Sequence, residues 1–341
     1  MSELASHLWL VAVLVAAAAA AASYFVTVAL QPVLRSYALA HPNVRSSHKA
    51  ATPQGGGIGV ITSTIVIVVL AELALPGFAG SSHQLAAVFA MTVALAVIGA
   101  TDDLRPLEAL PRLLLQAVAV IVVVAALPAE LRVLSFLPWW VERAFLVLGI
   151  VWFVNLVNFM DGIDWMTVAE VVPITTALAL FGLMGALPRD ATLVALTLGG
   201  AMIGFAPFNR PVAKLFLGDV GSLPIGLLLA WLLLKLASEG HSTAALLLPL
   251  YYLADATITL LLRLFKGEPV MKAHRSHFYQ RAVDRGVRIY RIVSAVFFVN
   301  VILAGLAAIS VLSLSRMLHV ACLAVGGAFV GALLWSFKRS P

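Results

Sequence analysis

The chain has 341 residues, of which 62% are hydrophobic and only 11% charged, and a mean hydropathy of +1.03. That balance excludes a water-soluble fold, and because β-barrel alternation is absent it points to an all-α, polytopic membrane bundle. The formal net charge is +6, no nucleic-acid partner is expected, and a single cysteine, Cys322, excludes a disulfide framework or a cysteine metal cluster.

A helix needs about 20 apolar residues to cross the hydrocarbon, where free backbone groups find no water. In chain order the qualifying runs are Leu8 to Leu30, Ile58 to Leu75, Leu85 to Thr101, Leu110 to Leu127, Trp139 to Val157 and Met166 to Leu187. They continue with Ala191 to Phe208, Leu223 to Leu236, Ala244 to Phe265, Ile292 to Leu314 and Met317 to Phe337. These predict about 11 transmembrane helices, the fourth and eighth being short. The segment before the first run carries Glu3 and no Lys or Arg, so that run is expected to be retained rather than cleaved as a signal.

Basic residues near span ends resist translocation. With the N-terminus outside and the C-terminus in the cytoplasm, 17 of the 22 Lys and Arg fall on the inner side. The stretch Arg263 to Arg291 alone carries a net +6, equal to the whole chain. Such a loop suits either anionic head groups or a phosphorylated substrate.

Five inner segments carry polar clusters. The first, HPNVRSSHKAATPQGGG from His41 to Gly57, is a glycine-rich loop whose backbone can approach an anion, or a turn into the second span. The second, GATDDLRP, places Asp102 and Asp103 side by side, where mutual repulsion favours a cation or a proton between them. In NLVNFMDGIDWM the residues Asn155, Asn158, Asp161 and Asp164 recur every three positions, and Gly162 permits a helix break. Carboxylates at such a boundary are candidates for function. The fourth, NRPVAKLFLGDVGSLPIG, sets Asp219 between Gly218 and Gly221, as a helix cap or beside a metal or phosphate. The fifth, KAHRSHFYQRAVDRG, spaces His274 and His277 among arginines, which suits phosphate better than zinc.

The ordered set SSHKAATPQGGG, TDD, NFMDGID, FLGDVGS and AHRSHFYQR resembles the polyprenyl-phosphate N-acetylhexosamine-1-phosphate transferases of glycosyltransferase family 4. These include the phospho-N-acetylmuramoyl-pentapeptide translocase and the enzymes that begin O-antigen, capsule and teichoic-acid synthesis. The resemblance runs from the first loop to the tenth span. It implies one integral membrane transferase domain over residues 1–341, with a periplasmic N-terminus and a multi-pass location in a bacterial inner membrane. Active-site loops would lie near 31–57, 100–112, 155–166, 209–222 and 266–291 on the cytoplasmic face.

The implied reaction joins a UDP-N-acetylhexosamine to polyprenyl (undecaprenyl) phosphate, releases UMP and starts lipid-linked polysaccharide synthesis. It implies Mg²⁺ or Mn²⁺ as cofactor and allows a homodimer. By the same resemblance Asp219 and Asp161 are metal ligands, while Asp102 and Asp103 receive the proton of the lipid phosphate or position it. Asn158, Asp161 and Asp164 contact the nucleotide and metal region. Lys49 and Thr52 lie near the diphosphate. His274, Arg275, His277 and Arg281 close over the sugar, His277 among the catalytic set. HRSHFYQR interrupts the denser histidine run of the translocase with Arg and Ser. It looks more like the O-antigen or exopolysaccharide branch, which uses N-acetylglucosamine, N-acetylfucosamine or N-acetylquinovosamine. The rival reading is a secondary transporter with a carboxylate-lined site.

Overall fold

The computed structural model describes residues 2–40, 51–74, 83–269 and 274–339. In chain order the elements are α1 (Ser2–Tyr37), β1 (Leu39–Ala40), β2 (Thr52–Pro53), α2 (Gly57–Ala74), α3 (His83–Leu104), α4 (Ala109–Ala125) and α5 (Trp139–Met160). They continue with α6 (Met166–Leu183), α7 (Arg189–Asn209), α8 (Asp219–Ser238), α9 (Ser242–Leu247), α10 (Leu250–Phe265), α11 (Phe278–Asp284), α12 (Ile289–Val311) and α13 (Arg316–Arg339). The chain is an all-α, multi-pass membrane protein. Among the described residues nine helices are long and apolar enough to cross a membrane: α1, α2, α3, α5, α6, α7, α8, α12 and α13. A helix of 22 residues, such as α3 or α5, is about 33 Å long at 1.5 Å per residue, which matches the hydrocarbon thickness.

The difference from the eleven expected spans lies in two places. The fourth run forms α4, an apolar helix of 17 residues. The ninth run, Ala244 to Phe265, is not one helix but two, α9 and α10, divided before Pro249. Proline has no N–H for the helical ladder. Beyond the break the chain also ceases to be uniformly apolar: Tyr251, Asp255, Thr259 and Arg263, four apart, are all buried on one face of α10. Hydropathy averaged over the run conceals this stripe.

Helix α8 stands at the centre. Sixteen of its twenty residues are buried, as expected of a helix that is apolar all round, and it packs against α3, α5, α2 and α9. On another side α7 lies against α1. Gly200 and Gly204, four apart, face the carbonyl oxygens of Ala16 and Ala20, with which a Cβ at either glycine would collide. Small residues of this kind let membrane helices approach closely and gain dispersion contact where no hydrophobic force drives them together.

The same device gathers one end of the bundle. A Cβ on Gly57, at the start of α2, would strike the Cα of Gly221 in α8, and one on Gly99 of α3 would strike the carbonyl of Asp219. The short ribbon anchors this end: β1 pairs antiparallel with β2, Leu39 opposite Pro53 and Ala40 opposite Thr52. From there residues 53–57 run along the segment before α8. Phe216 N–H donates to Pro53 O, Gly56 N–H to Phe216 O and Gly57 N–H to Leu217 O, each at 2.9 Å. Five chain segments distant in sequence, the ends of α1, α3 and α5 and the starts of α2 and α8, therefore meet at one boundary of the apolar bundle.

Candidate active site

At that boundary Asp219 opens α8, preceded by Gly218 at φ +76°, a left-handed conformation that suits glycine. The first N–H groups of a helix have no partner within it. Here Asp103, in the last turn of α3, supplies it: its Oδ1 accepts Asp219 N–H at 2.9 Å and its Oδ2 accepts Val220 N–H at 3.1 Å. Asp103 is thus the cap of α8, and the side chain of Asp219 is left to face the site. Gln54, on the β2–α2 turn, donates to the Asp103 backbone carbonyl at 2.6 Å.

Two groups hold the Asp219 carboxylate. Asn158 in the last turn of α5 donates to Oδ1 at 2.7 Å and to Ser222 Oγ at 2.9 Å. Arg112 in the first turn of α4 reaches Oδ2 at 3.3 Å and Asp102 Oδ2 at 2.5 Å. Asp102 also accepts Leu107 N–H at 2.6 Å. The adjacent pair of acids is therefore split between two tasks. Asp103 takes backbone N–H groups, and Asp102 takes the guanidinium of Arg112.

Asp161 lies just past α5, where its Oδ1 accepts the hydroxyl of Thr167 at 2.5 Å. Burial, and after it the charges of Asp103 and Asp164, push Asp161 up to about 7, against the opposing hydroxyl. A carboxyl so placed gains from a positive partner. Asp164 is buried, and its Oδ2 accepts Ala213 N–H at 3.0 Å, which pins the loop before α8. Asn155 points into the bundle, donating to Gln116 at 2.7 Å. The three-residue spacing thus brings Asn158 and Asp161 to the acid cluster, while Asn155 bonds within the bundle and Asp164 holds the loop before α8.

The fifth segment closes the arrangement through α11. The phenolic hydroxyl of Tyr279 donates to Phe159 O at 3.2 Å, and a Cβ on Gly162 would collide with that hydroxyl. His277 is buried, its Nδ1 3.2 Å from Asp255 Oδ1, with the Tyr279 ring stacked beside it at 5.8 Å. His274 lies 5.0 Å away, ring to ring, with its Nδ1 2.8 Å from Ser276 Oγ. Arg275 pairs with Asp284 at 3.0 Å, and the Arg281 guanidinium sits 5.9 Å from the centre of the Phe278 ring. Thr52 is buried in β2 behind the site. Lys49 lies outside the described residues.

Two residues that sequence reading passed over are integral here. Arg112 looked like one of many inner-side cations; its role depends on Asp102 and Asp219, the second of them 107 positions away. Asp255, fully buried in α10, accepts from Thr259, Phe278 N–H and Tyr279 N–H as well as facing His277. The signal for Asp255 was available: a lone carboxylate inside an apolar run is costly unless partnered.

Comparison with known proteins follows the same residues. Positions 85–237 match the model of glycosyl transferase family 4, a span that contains Asp102, Asp103, Arg112, Asn158, Asp161 and Asp219. A probable undecaprenyl-phosphate N-acetylglucosaminyl 1-phosphate transferase of Bacillus subtilis is 24% identical over 260 residues, covering 73% of this chain and 71% of that protein. A phospho-N-acetylmuramoyl-pentapeptide-transferase of Lactococcus lactis is 30% identical over 233 residues, covering 64% of this chain and 69% of the relative. A decaprenyl-phosphate N-acetylglucosaminephosphotransferase of Mycolicibacterium smegmatis is 28% identical over 368 aligned positions, covering 96% and 89%.

Proposed function

The chain belongs to glycosyl transferase family 4, and from that premise we propose that it transfers an N-acetylhexosamine-1-phosphate from a UDP-sugar to polyprenyl phosphate, releasing UMP. The observation that carries this reading is the Asp219 carboxylate, presented at a helix start and gripped by Asn158 and Arg112, at the boundary between apolar bundle and polar loops. One substrate of such a reaction is water-soluble, and the other has its phosphate at head-group level. A site at the boundary reaches both. The carboxylates argued here to act in chemistry gather at one end of the bundle, whereas carrier sites lie near the midplane.

The donor set fits a divalent cation shared with a diphosphate. Among the described residues no three His, Cys, Asp or Glu side chains could hold a metal by themselves, but Mg²⁺ is commonly bound through one or two carboxylates, with waters and substrate phosphates completing its shell. Asp219, a quarter exposed, and Asp161 would hold it. When bound, such a cation cancels repulsion between the two phosphorylated substrates and stabilises the leaving UMP.

The protein's own groups do the rest. Asn158 fixes the rotamer of Asp219, and Asp103 fixes the backbone beneath it. Arg112, held by Asp102, adds a permanent positive charge for a phosphate oxygen. A phosphate monoester is mostly dianionic at neutral pH, so Asp102 and Asp103 serve the attack by positioning more than by proton removal. Asp255, beside Nδ1, orients the His277 ring, which would offer Nε2 to the donor.

The excess of Lys and Arg on one set of loops supports a cytoplasmic site, an N-terminus outside and residence in a bacterial inner membrane. The interrupted histidine segment, HRSHFYQR, supports UDP-N-acetylglucosamine or a related N-acetylfucosamine or N-acetylquinovosamine donor, and a role in starting O-antigen or exopolysaccharide chains. The test is a panel of these UDP-sugars with the purified protein, undecaprenyl phosphate and Mg²⁺. UMP release with at least one member is expected, and silence across the panel overturns the reading.

A further inference from the structure

We infer that a groove between α6 and α7, separate from the acid cluster, binds an anionic phospholipid of the leaflet nearest the candidate site. At the end of α7 a cavity of ≈ 530 Å³ is lined by Trp165, Ile203, Ala206, Arg210, Val212 and Lys214, among others. Arg210 and Lys214 are both exposed, and their side chains make no ion pair or hydrogen bond with another described residue. Two unengaged cations over an apolar floor suit a phosphate attached to something greasy.

Trp165 supplies one wall at a cost. It is the one described non-glycine residue with positive φ, at 60°, a conformation that persists only where its surroundings enforce it. Its N–H donates to Asn209 Oδ1 at 2.8 Å and its indole Nε1 to Ala206 O at 2.7 Å. The indole is thereby locked against α7 at the membrane boundary, the depth that tryptophan favours.

The greasy part has its own place. A second cavity, of ≈ 190 Å³, shares Ile203 with the first and continues along α7 past Gly199 and Gly200 toward Ala12 and Ala16 of α1. From Arg210 to Gly199 is eleven residues of α7, or about 16 Å, which is close to half the hydrocarbon thickness. That length accommodates an acyl chain of one leaflet and is too short for a polyprenyl chain, while inorganic phosphate would leave the apolar arm unused. The occupied groove would also bear on the site, because Asp164 holds the Ala213 N–H of the loop that carries both cations.

The test uses the full-length protein in neutral detergent, with phosphatidylglycerol and phosphatidylcholine as probes and retained lipid measured by native mass spectrometry. Phosphatidylglycerol is expected to be retained over phosphatidylcholine by about tenfold or more, and Arg210→Ala with Lys214→Ala is expected to abolish that preference. Ile203→Trp, which fills the junction of the two cavities and leaves both cations in place, is expected to lower retention of phosphatidylglycerol. Equal retention of the two lipids, or an unchanged preference in the double variant or in Ile203→Trp, overturns the inference. Displacement of phosphatidylglycerol by inorganic phosphate reassigns the site to a free anion, and stronger competition by undecaprenyl phosphate reassigns it to the acceptor; either result also overturns it. Lipid retention is read without turnover, so the outcome is independent of the transferase reading.

Discussion

Asp103 and Asp219 are 116 positions apart, yet both oxygens of the first hold the opening N–H groups of the helix that the second begins. One acid thus supports the backbone from which the other acts. Replacing them should give separable results. Asp219→Asn is expected to cut UMP release by about a hundredfold or more with no loss of thermal stability, since it relieves crowding among carboxylates. Asp103→Ala removes a cap, and is expected to lower both activity and stability, the latter by about 1 kcal/mol or more. Equal unfolding temperatures for the two variants in detergent would contradict this division.

Arg112 stands between Asp102 and Asp219. Arg112→Ala leaves two partly buried carboxylates without their cation, and a destabilisation of about 1–3 kcal/mol is expected. Adding Asp102→Asn should recover part of that loss, because the uncompensated charge is then gone. A double-mutant cycle on unfolding temperature measures the coupling; strict additivity would remove Arg112 from this role.

Asp255 holds the start of α11 and faces His277. Asp255→Ala is expected to cost about 2–4 kcal/mol, as several buried donors lose their acceptor together. Asp255→Asn keeps one acceptor oxygen and should fold better than the alanine variant. Its expected defect is a lower kcat with KM little changed, through the lost orientation of His277, and a wild-type kcat would show that Asp255 serves packing alone.

Gly57 and Gly149 make a matched pair. A methyl group at Gly57 meets the α8 backbone, whereas at Gly149 nothing lies within 4 Å. Gly57→Ala should therefore destabilise by about 1–3 kcal/mol through overpacking, while Gly149→Ala should be neutral or stabilising by up to about 1 kcal/mol. Thermal unfolding of both variants checks the contrast.

The helices were legible because lipid imposes a length on apolar runs, and the candidate chemistry because Asp102, Asp103, Asn158, Asp161 and Asp219 interrupt those runs at their ends. What remained hidden depends on partners far away in the chain. Nothing local distinguishes Asp103, which caps a helix, from Asp102, which holds an arginine. Asn155 shares the periodic spacing of Asn158 and Asp161, but α5 turns it inward to Gln116, and the bond from Ala213 N–H to Asp164, 49 positions earlier, has no local signal. The division at Pro249 was visible as a proline, yet the pairing of Asp255, within the polar stripe of α10, with His277 exists only once α10 and α11 are packed.

Helix α8 has almost no surface toward lipid, although it carries Asp219 at its tip. Swelling or thinning of the surrounding bilayer acts first on the peripheral helices, and its strain reaches that tip through the few contacts of α2, α3, α4 and α5 with it. The arrangement works as a post shielded by its neighbours, so turnover should vary little between vesicles of shorter and longer acyl chains, even where the tilt of the outer helices changes.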